Sequence, residues 1–210
     1  MVFKDRIEAA NLLADKLGGY KEKNALILAI PRGGVPLGYV IAKRLHLSLE
    51  VVLSKKIGHP QHKEFAIGAV TLKSQVLSDA AKAIPAIYIE EETKKIRALL
   101  TKRYQEYYGA KTPQKLKGKI LIIVDDGIAT GNTIISTIEM LHEEQPEKIV
   151  VAIPVSSQSA LQKLQNTPFV DDVICLYAPS NFRAVGQFYK NFDQVDDTEV
   201  KTLLNTFTVD

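Results

Sequence analysis

The sequence predicts an α/β fold built on a doubly wound, mainly parallel sheet flanked by helices. Two observations carry that expectation. Short, unbroken apolar runs recur along the chain, as strands covered on both faces require. Each run is followed by a stretch with apolar residues at helical spacing, and this alternation is the mark of a parallel sheet. The length of 210 residues and the 46% hydrophobic content fit one domain, 1–210, with a sizeable core.

The elements follow in order. Residues 3–17 read as an amphipathic helix with Ile7, Ala10, Leu13, Ala14 and Leu17 on one stripe, ended by Gly18 and Gly19. Residues 25–30 form a buried strand, which Pro31-Arg32-Gly33-Gly34 interrupts. A helix then runs through Val40, Ile41 and Leu45, with Pro36 suited to its first turn. The next strand covers 49–53, and residues 55–60 read as a basic loop. Weak alternation over 65–78 suggests a hairpin. A long helix is expected over 89–108, with Glu90, Glu91 and Glu92 near its start and Ile96, Leu99, Leu100 and Tyr107 on its buried side. Residues 120–124 are the clearest strand, and after 125–133 a helix places Ile134, Ile135, Ile138 and Leu141 on one stripe. A strand at 149–153, a short helix with Ala160, Leu161 and Leu164, and a last strand at 173–177 follow. Val200, Leu203, Leu204 and Phe207 mark a C-terminal helix.

Composition excludes several classes of function. The net charge is only +3, from 27 basic and 24 acidic residues, and the charges are interspersed. That argues against a nucleic-acid or membrane-surface protein. No apolar run approaches the roughly 20 residues of a membrane span. The first residues carry acids and no separate apolar core, so no secretory signal is read there. With Cys175 as the single cysteine, no internal disulfide forms, and a reducing cytoplasm is the expected setting.

Ligands of open parallel sheets bind beyond the carboxyl ends of the strands. The loop after residue 124 carries Asp125 and Asp126, then Gly127-Ile128-Ala129-Thr130-Gly131-Asn132-Thr133 at the start of a helix. Backbone N–H groups in such a turn, together with the helix dipole, make a phosphate cradle. Gly131 permits close approach, and Thr130 and Thr133 supply hydroxyl donors. The two carboxylates can accept from sugar hydroxyls and hold magnesium directly or through water. Phosphate on one side and a diol with a metal on the other describe a ribose 5-phosphate handle. A P-loop does not fit, because Asn132 stands where its lysine would be sought, and the G-x-G-x-x-G pattern is absent.

Residues 122–133 resemble the phosphoribosyl-pyrophosphate motif of type I phosphoribosyltransferases: an apolar strand, two acids and a small-residue phosphate loop. Pro31-Arg32-Gly33-Gly34 is similar to the short pyrophosphate-binding loop of those enzymes. The resemblance extends to residues 3–6, 31–36 and 64–69, to Lys56, Ile57 and Gly58 with Pro60, and to Phe188 and Tyr189 with Phe192. These look like a stand-alone microbial subfamily whose acceptor is unassigned. The resemblance implies a type I fold with an insert at about 57–112 and a hood at about 178–195. It also implies magnesium-dependent displacement of pyrophosphate from the ribose of phosphoribosyl pyrophosphate by a nitrogen acceptor, a nucleobase or another small molecule. Asp125, Asp126 and Arg32 are the catalytic expectation. Gly33, Gly34, Lys56, Ala129, Thr130, Gly131, Asn132, Thr133 and Phe182 are the substrate-binding expectation, with Lys55 an alternative to Lys56. A homodimer is expected by family analogy alone.

Other residues carry weaker signals. His59 and His62 form an H-x-x-H with no third ligand nearby, which favours solvated loop histidines over zinc. Cys175, within a strand, reads as a core residue rather than a nucleophile. Ser156 and Ser157 lack a G-x-S-x-G context. Phe182 or Tyr189 is expected to stack on the acceptor ring, whereas Phe188 and Phe192 suit a hydrophobic clamp. Ala129 stands where hypoxanthine- and guanine-type enzymes carry an aspartate, so the general acid or base must come from elsewhere, with Glu64 the candidate. The alternative to a transferase is a regulator that senses phosphoribosyl pyrophosphate without turnover.

Overall fold

The computed structural model describes residues 2–63, 65–109 and 112–208; Glu64 lies outside them. The chain opens with α1 (Arg6–Lys16), β1 (Ala25–Ala29), α2 (Gly34–Leu45) and β2 (Ser48–Val51). A second group follows: β3 (Ser54–Gly58), β4 (Ala66–Thr71), β5 (Gln75–Leu77) and α3 (Ala86–Tyr108). The remainder is β6 (Ile120–Val124), α4 (Asn132–His142), β7 (Lys148–Val155), α5 (Gln158–Gln165), β8 (Asp172–Tyr177) and α6 (Asp197–Thr206).

The main sheet has the order β2-β1-β6-β7-β8 and is parallel throughout. Side-chain alternation explains why its strands read as unbroken apolar runs. Ile27, Ala29, Ile122, Val124, Val150 and Ala152 pack on the face covered by α1 and α2. Leu26, Leu28, Leu121, Ile123, Val151 and Ile153 pack on the opposite face, against Ile134, Ile138 and Leu141 of α4 and Ala160 and Leu164 of α5. Local signals end the helices as well. Asp5 caps α1 by accepting from the Glu8 amide at 2.9 Å, and Ser157 and Asp196 cap α5 and α6 in the same way.

Strand order reverses between β1 and β6, since the chain leaves β1 for β2 on one side and returns to β6 on the other. The chain therefore leaves these two strands in opposite directions, and the region beyond their carboxyl ends is where such sheets bind ligands.

Four expectations need correction. Residues 54–58 are a strand, not the start of a basic loop: β3 pairs antiparallel with β4, Lys55 opposite Val70 and Lys56 opposite Ala69. With β5 they make a second, three-stranded antiparallel sheet beside α3 and α4. In α1, Ile7 is 48% exposed, and the helix buries Ala9, Ala10, Leu13 and Ala14 instead. α3 starts at Ala86, so Glu90, Glu91 and Glu92 fall in its second turn, and Leu99 is 44% exposed. Phe207 lies just beyond α6, edge-on to Tyr39 at 5.7 Å. Among the described residues no helix is long and apolar enough to cross a membrane.

Candidate active site

The loops after β1 and β6 are in direct contact. The Ile30 amide donates to the Val124 carbonyl at 2.9 Å, and the Pro31–Arg32 peptide bond is cis. A Cβ on Gly34 would lie 2.5 Å from the Val124 oxygen, and one on Gly33 would lie 2.0 Å from Asp126 Oδ2. This close approach requires glycine at both positions, at the N-cap and the first residue of α2.

The two acids sit in different environments. Asp125 Oδ1 accepts from the Asp126 amide at 2.9 Å. Burial and the neighbouring Asp126 charge push the Asp125 carboxyl well above the usual range, against a smaller pull from Arg6. Asp126 Oδ2 accepts from Arg6 Nε at 3.0 Å and Nη2 at 2.8 Å, with the two side chains only 12% (Arg6) and 15% (Asp126) exposed. Burial raises the Asp126 carboxyl as well, and Arg6 offsets part of that rise. Behind it, the Tyr189 hydroxyl donates to the Asp126 carbonyl at 2.6 Å.

Arg6 is held on its other sides. Its guanidinium lies 4.0 Å from the Phe192 ring centroid, and Nη1 donates to the Asp193 carbonyl at 2.7 Å. The backbone before it pairs with residues 188–191: Phe3 N to Phe188 O at 2.8 Å, Lys190 N to Phe3 O at 2.8 Å, and Asn191 N to Lys4 O at 2.9 Å. Residues 3–5, expected to open the first helix, instead run beside residues 188–191, with Phe3 bridged to Tyr189, and with Arg6, Phe192 and Asp193 the two stretches form one structure around Asp126.

The loop after β6 turns into α4 at Gly131, with φ +79, and among the described residues no side chain caps that helix. The first N–H groups of a helix have no partner within it and can meet an anion, and Ala129, Thr130, Asn132 and Thr133 are exposed around them. Across a cleft of about 560 Å³ stand Lys55 and Lys56 of β3, together with Phe65, facing Thr130, Asn132 and Thr133. The cleft therefore brings the basic residues of the second sheet to the loop before α4. Lys163 of α5 adds a cation that sequence reasoning missed, 3.5 Å from both the Thr130 carbonyl and Asn132 Oδ1. No motif in the sequence points to it.

Arg32 is half-exposed, with Nη1 3.8 Å from an oxygen of Asp197. The Asp197 carboxylate also accepts from the Tyr107 hydroxyl of α3, and that bond holds its pKa below the usual range. Phe182 is half-buried and stacks on Phe188 at 5.4 Å. The expectation for Tyr189 fails: its ring is buried against Phe192 at 4.8 Å and its hydroxyl is committed to Asp126, so it is not available to stack on an acceptor. Cys175 is half-buried, with its thiol on the Tyr177 carbonyl at 3.4 Å and its pKa raised by burial.

Residues 4–189 match the model of the phosphoribosyl transferase domain. Proteins from two Mycobacterium tuberculosis strains, provisionally named phosphoribosyl transferases, are 33% identical over 208 residues. The match takes in 97% of this chain and 46% of theirs, so the chain spans about half the length of these curated relatives. The crystal structure of TT1426 from Thermus thermophilus superposes with a TM-score of 0.87 at 36% identity, covering 97% of this chain and 98% of that one. A hypothetical protein from Neisseria gonorrhoeae, solved with bound ppGpp, shares the fold with a TM-score of 0.51 at 14% identity, covering 98% of this chain and 97% of that one.

Proposed function

The chain belongs to the phosphoribosyl transferase domain family, and on that premise we propose that it moves the 5-phosphoribosyl group of phosphoribosyl pyrophosphate to a nitrogen acceptor and releases pyrophosphate. The observation that carries this reading is the pairing, at the switch point of the sheet, of two carboxylates with an uncapped helix N-terminus six residues on. The N–H groups of α4, with Thr130 and Thr133, take the 5-phosphate. Asp125 and the free oxygen of Asp126 take the ribose hydroxyls. Arg32, Gly33 and Gly34 take the pyrophosphate, with Lys55 and Lys56 lending positive charge from across the cleft. The transition state of such a displacement is oxocarbenium-like, so positioning the sugar and neutralising the leaving group are the protein's main tasks.

The donor set suits magnesium. That ion is usually held by one or two carboxylates plus substrate oxygens and water, and Asp125 with Asp126 supply hard oxygen ligands. When bound, the ion would neutralise charge on the pyrophosphate. The exposed methyl of Ala129 offers no proton acceptor to a 6-oxopurine. General acid–base help is worth about a hundredfold to ten-thousandfold, so hypoxanthine and guanine are expected to be poor acceptors. The same residue keeps the sensing alternative in play. Pyrophosphate release across a panel of nucleobases separates the two: release with any base supports the transferase, and binding without release supports the sensor. Calorimetry with and without magnesium tests the site itself. The Asp125→Asn, Asp126→Asn double variant is expected to lose binding, and unchanged affinity would overturn the assignment.

A further inference from the structure

We propose that Arg6 is a positioning residue for the ribose half of the ligand, acting through Asp126. The inference rests on the reading of Asp125 and Asp126 as ribose-binding acids.

Both Arg6 bonds fall on the same oxygen, Oδ2, from Nε at 3.0 Å and Nη2 at 2.8 Å. Oδ1 is left outside the pair, so the ion pair fixes the plane of the carboxylate without occupying it. The Gly33 backbone also lies against this carboxylate, since a Cβ there would come within 2.0 Å of Oδ2. The Asp126 side chain thus packs against both a guanidinium and a glycine backbone. It is also fixed at its own carbonyl by the Tyr189 hydroxyl.

The geometry calls for arginine in particular. Its planar fork sets two donors on one oxygen, stacks over Phe192 and still sends a third donor to the Asp193 carbonyl. A lysine keeps the charge but not the three directions. Arg6 also brings a positive charge to two adjacent acids that otherwise repel each other. A carboxylate that is already oriented saves a ligand the entropy of ordering it, so the contribution belongs to whichever part of the ligand touches Asp126. On the reading above that part is the sugar. The pyrophosphate is held by the β1 loop and the lysines, which Arg6 does not touch.

The test is calorimetry on the whole chain with three probes in metal-free buffer, so that no magnesium on Asp126 links the sugar and pyrophosphate arms: phosphoribosyl pyrophosphate, ribose 5-phosphate and pyrophosphate. Arg6→Ala is expected to weaken the first two about tenfold and leave pyrophosphate within twofold. Arg6→Lys is expected to lose about threefold on the same two probes, a partial rescue that keeps the inference testable should Arg6→Ala fail to fold. Equal loss on all three probes would make Arg6 a merely structural residue, and unchanged or tighter binding of phosphoribosyl pyrophosphate would overturn the proposal. Asp125→Asn separates the two levels. If it binds like the parent, the underlying reading fails. If it loses binding while Arg6→Ala does not, only the role of Arg6 fails.

Discussion

Gly33→Ala turns the packing around Asp126 into a measurement. Gly33 has φ −58 and ψ −32, a conformation open to any residue. At such a site alanine ordinarily stabilises a protein by about 0.4–1 kcal/mol, because it restricts the unfolded chain. Here the new Cβ would lie 2.0 Å from Asp126 Oδ2 and 2.4 Å from its Cγ, against ordinary contacts of roughly 3.5 Å. The carboxylate has to swing away, and both Arg6 bonds go with it. Breaking a buried pair costs about 3–5 kcal/mol, and this pair is slightly exposed, which points to the lower end. Setting about 3 kcal/mol against the unfolded-state gain leaves a net loss of about 2 kcal/mol, or roughly 4–8 °C in Tm for a chain of this size. Urea and thermal unfolding of Gly33→Ala should be measured in the parent and in an Asp126→Ala background. In the second background the obstacle is gone and the substitution should be neutral or stabilising, so the two sites couple by about 2–3 kcal/mol. An equal effect in both backgrounds, or stabilisation of the parent, would refute the reasoning.

Arg32→Ala should weaken pyrophosphate binding by about 1.5–3 kcal/mol, the range of a charge-assisted contact, while ribose 5-phosphate binding stays nearly intact; competition with labelled ligand reads both, and equal loss would place Arg32 elsewhere. Tyr104 is buried, its hydroxyl has no hydrogen-bond partner among the described residues, and burial followed by the Glu50 charge pushes its pKa up to about 12. Tyr104→Phe should therefore stabilise the protein by about 1 kcal/mol at neutral pH. The folded phenol keeps its proton until about pH 12 while the unfolded one releases it near 10, so this group's share of stability disappears as pH climbs between those values. Tm measured from pH 9 to 12 should fall less steeply in the variant, and parallel curves would contradict the assignment.

What the sequence revealed depended on how far apart the cooperating residues lie. β1, β6 and β7 stood out because both their faces are buried and, Lys148 at the start of β7 apart, every position is apolar. The acid pair and the Gly131 turn into α4 were legible because they are nearly consecutive, so one strand end presents the whole pattern. β3 was missed because Ser54, Lys55 and Lys56 leave it no apolar run; its partners are across the ladder in β4. The Arg6–Asp126 pair joins positions 120 apart, and no local periodicity carries such a contact. Tyr189 was misjudged for a related reason. An aromatic residue after the last strand suits a stacking platform equally well until the fold shows its hydroxyl on Asp126 and its ring against Phe192.

The seam between residues 3–6 and 188–193 also has a consequence in time. Arg6 must wait for a carbonyl that is 187 positions further along the chain. At roughly 5–20 residues per second of synthesis, that wait is on the order of ten to forty seconds. In the last third of it, once Asp126 has been made, the acid pair is present, yet the Arg6 guanidinium has no Phe192 to rest on and no Asp193 to bind. Closing so long a loop is also among the slower events of folding. If Arg6 orients Asp126 as proposed, ligand competence waits for residues 192 and 193 rather than for the sheet, and a nascent or truncated chain that ends before residue 193 is expected to carry the motif without binding ribose 5-phosphate as tightly as the whole chain.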